Sequence, residues 1–172
     1  MQLNLTQELA GGHSKAIIQK VAGYIGNDQN RFNSLIIIFL QNDAKITPRA
    51  AWALSQCVEN HPALIQPHFN ALLKMLAKPQ VHDSVKRNSM RLLQFVDIPK
   101  RYQGAVAEAG FRLMDPKEAI AVRVFSMTVL ANIARLQPAL KNELSIIIED
   151  QLPYSSAAYQ SRAKKILKEL KK

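Results

Sequence analysis

The stretches SVKRNSMRLLQFV at Ser84–Val96 and AVRVFSMTVLANI at Ala121–Ile133 write one pattern, Val, a basic residue, Ser-Met and then aliphatics, at an interval of 37 residues. A period of this length constrains the fold more than any composition figure. A unit so short cannot bury its own apolar face and must stack on its neighbours. Taking Ser89 and Ser126 as register marks, steps of 37 or 38 residues lead back to Ala51 and Ser14 and forward to Ala163. All five marks are small. Three residues after them lie Ile17, Leu54, Leu92, Val129 and Ile166, and seven after them Val21, Val58, Val96, Ile133 and Leu170. Offsets 0, 3 and 7 fall on one face of a helix with about 3.6 residues per turn. A small residue at the head of such a stripe lets a neighbouring helix approach closely, so Ser89 and Ser126 are expected to be buried at helix crossings.

Other apolar runs lie between these helices: NSLIIIFL, HFNALLKML, AVAEAGFRLM and NELSIIIEDQL. Asn42-Asp43, Lys78-Pro79, Asp115-Pro116 and Leu152-Pro153 break them, while Pro48, Pro62 and Pro138 mark further helix starts. The pattern predicts an all-α chain, an opening helix followed by four helical hairpins, with a short extra helix near Thr6–Ala10 ending at Gly11-Gly12. A length of 172 residues suits one domain, residues 1–172. The most apolar run, Leu35–Leu40, is six residues long, against the roughly 20 that a membrane span needs. The amino-terminal sequence has no basic start followed by a long apolar run, so no signal peptide is expected. With a single cysteine, Cys57, no internal disulfide is possible, and the expected setting is reducing and cytoplasmic.

A two-helix unit of this period resembles the HEAT-repeat branch of the armadillo-like superfamily over essentially the whole chain. Val122-Arg123 before Ser126 and Val85-Lys86 before Ser89 carry the resemblance, and Asp115-Pro116 stands where that family places its inter-helix turn. The marks at Ala51 and Ala163 depart from the pattern, being preceded by Pro48 and Gln160. The resemblance implies a right-handed α-α superhelix of about five helical hairpins, with second helices lining a concave inner wall.

No sequence feature calls for catalysis, a cofactor or a metal. Neither phosphate-binding glycine pattern occurs. Cys57 and His61 stand four apart on one predicted helix, two ligands where a structural zinc takes four, and a nucleophile–base pair there lacks an orienting third group. The expectation is a non-enzyme. HEAT-like DNA glycosylases offer a different use of the fold, reading damaged duplex with clustered aromatics and a carboxylate. Here aromatics are 6% of the chain, and Trp52 has only Glu59, seven residues on, as an acid along its helix. That reading is analogy of fold alone.

The charge pattern says more. The chain carries a net +10, and Arg162–Lys172 alone holds six basic residues against one acid. If offsets 0, 3, 4 and 7 face the core, offsets −2, +2, +5 and +9 face away. Those twenty positions hold seven basic residues and no acidic one. The residues expected to bind a partner are Arg49, Gln56, Arg87, Arg91, Gln94, Arg135, Lys165 and Lys168. For Arg49 and Arg87 two roles stay open, partner contact or pairing with turn acids such as Asp43. For Arg91, Arg135, Lys165 and Lys168 no carboxylate is expected on the same face. The glutamines can both donate to and accept from an extended peptide. The expected function is a binding scaffold for an acidic or extended protein partner, with binding of a nucleic-acid backbone, including a DNA-repair-like role, as the alternative. The sequence does not choose an oligomeric state.

Overall fold

The computed structural model describes residues 3–171, and among these every regular element is a helix. Packing groups the chain into two compact units, residues 1–97 and 98–172. The first unit holds α1 (Leu5–Ala10), α2 (Lys15–Ile25), α3 (Gln29–Leu40), α4 (Ile46–Asn60), a 3₁₀ helix (Pro62–His68), α5 (Phe69–Leu76) and α6 (Asp83–Leu93). The second holds α7 (Lys100–Arg112), α8 (Ile120–Leu136), α9 (Leu140–Gln151), a short 3₁₀ helix (Leu152–Tyr154) and α10 (Ala157–Leu170). No helix among the described residues is long and apolar enough to cross a membrane.

Local chemistry sets the helix ends. Asn4, Ser14, Asp28 and Ser156 each accept a backbone N–H at the start of α1, α2, α3 and α10, supplying partners that the first turn lacks. Asp43 accepts from the amides of Lys45 and Ile46, both at 2.8 Å, at the entry to α4. Those two bonds hold its carboxyl below the usual range. Asn42 reverses the chain after α3 at φ 59°, a left-handed conformation that asparagine tolerates better than most residues. Pro48 sits in the first turn of α4, where its missing N–H costs nothing. Pro62 opens a 3₁₀ segment rather than the α-helix expected there, and Pro67 lies inside that segment; α5 begins only at Phe69, beyond both prolines.

In the first unit α4 is the central element, packed against α2, α3 and α6. It buries nine of its fifteen residues, among them Ala50, Ala51 and Ala53, and this run of small side chains admits neighbours on several sides. Leu54, Val58, Ile18, Val21 and Leu92 are within 1% of full burial, each contributing about 1.5–3 kcal/mol relative to exposure. In the second unit α8 has the same place, packed on α7, α9 and α10. Gly110 lets α7 approach: a Cβ there would stand 2.9 Å from Leu130 Cγ.

Ser89, Ser126, Ala51 and Ala163 are all buried to 1% exposure or less, as the register requires. Ser14 is the exception. It lies exposed, one residue outside α2, and caps it, because the Gly11-Gly12 break delays the helix start past the mark. Burial also departs from the single-helix wheel at Ala53, Ala131 and Ile98, which were expected to face outward and are buried. At the two alanines the reason is that α4 and α8 are flanked by further helices beside their inner stripe.

The Val-Arg position before Ser126 proves structural. Arg123 is 7% exposed and its guanidinium donates to Gln151 Oε1 from Nε (3.2 Å) and Nη2 (2.5 Å) and to Ser155 Oγ at 3.2 Å. It also lies 4.6 Å from the ring centre of Tyr159. Tyr159 Oη donates to the same Gln151 oxygen at 2.9 Å, and Gln151 Nε2 donates to the Met114 carbonyl at 2.8 Å. Burial raises the Tyr159 phenol, opposed by the Arg123 charge. This polar cluster ties α8, α9 and α10 together, since a buried cation without such donors and acceptors satisfied is costly.

Candidate binding surfaces

In the first unit the five expected contact residues separate into two groups. Arg49 is half-buried, and its Nη1 donates to the carbonyls of Leu9 (2.6 Å) and Ala10 (3.1 Å). It closes the carboxyl end of α1, where carbonyls lack helical partners and the dipole favours a cation. The expected partner Asp43 is instead occupied at the α4 entry. Arg91 Nη2 pairs with Glu59 Oε2 at 2.8 Å, which corrects the expectation that no carboxylate shares its face. Gln94 Nε2 donates to the Arg91 carbonyl at 3.1 Å, within its own helix end. Gln56 and Arg87 are both half-buried, and neither has a hydrogen bond or ion pair among the described residues.

The second unit divides in the same way. Arg135 Nη2 pairs with Glu169 Oε2 at 2.6 Å, and its Nη1 donates to Asn132 Oδ1 at 3.2 Å, so its face too holds a carboxylate. Lys165 and Lys168 are exposed, without ion pairs among the described residues. Lys172, counted in the basic strip, lies outside the described residues. The structure adds Arg162, one position before the register mark, whose half-buried guanidinium donates from Nη1 to Thr128 Oγ1 at 2.8 Å. Its signal was present: Arg162, Lys165 and Glu169 follow i, i+3, i+7 spacing and share a face of α10. With Thr128, Asn132 and Arg135 of α8 they line a small cleft of about 90 Å³, so Lys165, though without an ion pair, also has a carboxylate on its face, against expectation.

Other features carry less. A groove of about 760 Å³ beside α1 and α3 mixes Ile37 and Ile38 with Asp28 and Arg31; Arg31 is paired with Asp28 and stacked on Tyr24, so its charges balance. Burial pushes the Cys57 thiol up to about 12, which leaves it unreactive as a nucleophile. His61 follows the last residue of α4 rather than sharing that helix with Cys57. Trp52 is half-buried, tilted against the His13 ring with centres 5.2 Å apart. Among the described residues no three His, Cys, Asp or Glu side chains are grouped closely enough to hold a metal ion.

The HEAT repeat domain family matches residues 5–170, which takes in both units and every helix above. The chain belongs to the HEAT-repeat family. HEAT repeats serve in general as protein-interaction scaffolds. No curated protein and no solved structure matches this HEAT chain.

Proposed function

We propose that this HEAT chain is a non-catalytic scaffold, working in the cytoplasm, that holds an acidic or extended protein partner through Gln56 of α4 and cationic side chains on α6, α8 and α10. With it goes the expected right-handed superhelix of about five hairpins. The observation that carries the reading is the set of unneutralised charges: Arg87, Lys165 and Lys168 have no ion pair among the described residues. A solvent-reaching cation without a counter-charge raises the local potential and speeds encounter with an acidic surface; Lys165 and Lys168 are exposed and Arg87 half-buried. Gln56, with its amide unengaged, can donate to and accept from a peptide backbone beside it. Arg91 and Arg135 contribute less, because each must first give up a carboxylate at 2.8 or 2.6 Å.

The test compares two charge reversals of equal size. Arg87→Glu with Lys165→Glu is set against Lys74→Glu with Lys141→Glu, the latter on α5 and α9. Each pair lowers the net charge by the same amount. Binding of a labelled acidic peptide is followed by fluorescence anisotropy at physiological salt, with circular dichroism reporting the fold. The first pair abolishes binding and the second leaves it nearly unchanged. Equal losses would mean that net charge alone attracts the peptide, and unchanged binding in the first pair removes the proposal.

A further inference from the structure

We propose that the α8–α10 cleft is an oxyanion subsite, taking one phosphate monoester or carboxylate group between Arg162 and Lys165, with Glu169 as its built-in competitor. The inference rests on the scaffold reading and narrows it to one place. Two bridges set the geometry: Thr128 to Arg162 in the middle of both helices, and Arg135 to Glu169 near their carboxyl ends, each spanning 34 residues. Equal spans mean that α8 and α10 run parallel in fixed register, so the walls of the cleft are held by the helices rather than by loops.

The cleft walls carry three cations, Arg135, Arg162 and Lys165, and one carboxylate, Glu169. Two positive charges are therefore left over. Arg162 is anchored through a neutral hydroxyl, which leaves most of its five N–H donors for a ligand. Thr128 Oγ1 itself donates to the Val124 carbonyl at 3.1 Å, so it accepts from Arg162 and positions the guanidinium. Lys165 has three ammonium donors and no ion pair among the described residues. Glu169 already shows the chemistry the site accepts, a carboxylate oxygen 2.6 Å from a guanidinium nitrogen. A volume of about 90 Å³ holds several waters, room for one hydrated oxyanion group and not for a nucleotide. Guanidinium groups bind planar carboxylate and tetrahedral phosphate alike, in charge-assisted bonds stronger than neutral ones.

Inorganic phosphate and acetate are titrated separately into the full chain, read by amide chemical shifts. The expected result is saturable shifts confined to the turns around Thr128–Arg135 and Arg162–Glu169. Lys165→Met weakens the binding at least about tenfold, as loss of one charge-assisted contact should, and Glu169→Gln tightens it severalfold. Lys165 and Glu169 lie outside the buried core, so these variants keep the fold even if an Arg162 variant does not. Phosphate binding at least about tenfold tighter than acetate assigns a phosphoryl ligand, and comparable affinities assign a carboxylate. Shifts that never saturate, that spread equally to Lys74 and Lys141, or that ignore both substitutions overturn the subsite. Loss of acidic-peptide binding on Arg87→Glu without any saturation in the cleft would sink the subsite and leave the scaffold reading standing. Saturation in the cleft with peptide binding indifferent to Arg87→Glu and Lys165→Glu together would uphold the anion site and overturn the scaffold reading.

Discussion

Ser126 and Ser89 hold equivalent positions in sequence and differ in chemistry. The Ser126 hydroxyl donates to the Val122 carbonyl at 2.8 Å, the back-bond that serine commonly makes inside a helix. Ser89 Oγ is buried without a partner, as is Ser55 Oγ. An unsatisfied buried hydroxyl costs about 1–3 kcal/mol, so Ser89→Ala should raise the melting temperature or leave it level. Ser126→Leu should lower stability by about 1–3 kcal/mol, because the added volume meets a close helix crossing. Thermal melts of both variants, with Lys164→Ala as the exposed control, check the pair. A Ser126→Leu protein melting with the wild type would mean that the crossing is not there.

At the scale of the element, α7 offers a contrast between two glycines on one helix. Both sit where alanine has the higher helix propensity, by about 1 kcal/mol. Gly104 faces open space, with nothing within 4 Å of a built Cβ, whereas at Gly110 the Cβ would come within 2.9–3.4 Å of three Leu130 carbons. Gly104→Ala should therefore stabilise the protein by about 0.5–1 kcal/mol. Gly110→Ala should destabilise it, the clash outweighing the propensity gain, since Leu130 is itself fixed at 1% exposure in the α8 core. Urea denaturation midpoints give the signs directly. Two gains of equal size would show that α8 yields at Leu130 and that the α7–α8 contact is softer than its geometry.

For the whole molecule the decisive quantity is how binding responds to salt. The net charge of +10 draws any polyanion at low ionic strength, so weak retention on heparin discriminates nothing. A nucleic-acid backbone ligand would give log K falling linearly with log salt, with a slope near −0.9 per phosphate contacted on duplex DNA. A protein partner held also by backbone hydrogen bonds and packing keeps measurable affinity at physiological salt. Titrations of a duplex and of an acidic peptide between about 50 and 200 mM salt should show the duplex lost and the peptide retained. Retained duplex with lost peptide would favour the nucleic-acid alternative over the scaffold.

The helical class, the repeat and the buried marks at Ala51, Ser89, Ser126 and Ala163 follow from the sequence by itself. Helical periodicity is a local property, written in residues three, four and seven apart and legible along a single chain. Which cations remain free is not local. Arg91 meets Glu59 across 32 residues, and Arg135 meets Glu169 across 34; a wheel drawn around one helix axis cannot contain either partner. The same limit hid Arg162, whose role comes from Thr128 on the helix beside it, and misplaced Arg49, drawn to carbonyls at the end of α1. Ala53 and Ala131 went the same way, buried by flanking helices. Pairing and burial at such positions are decided by distances of a few ångströms between separate elements, and only the tertiary packing supplies those distances.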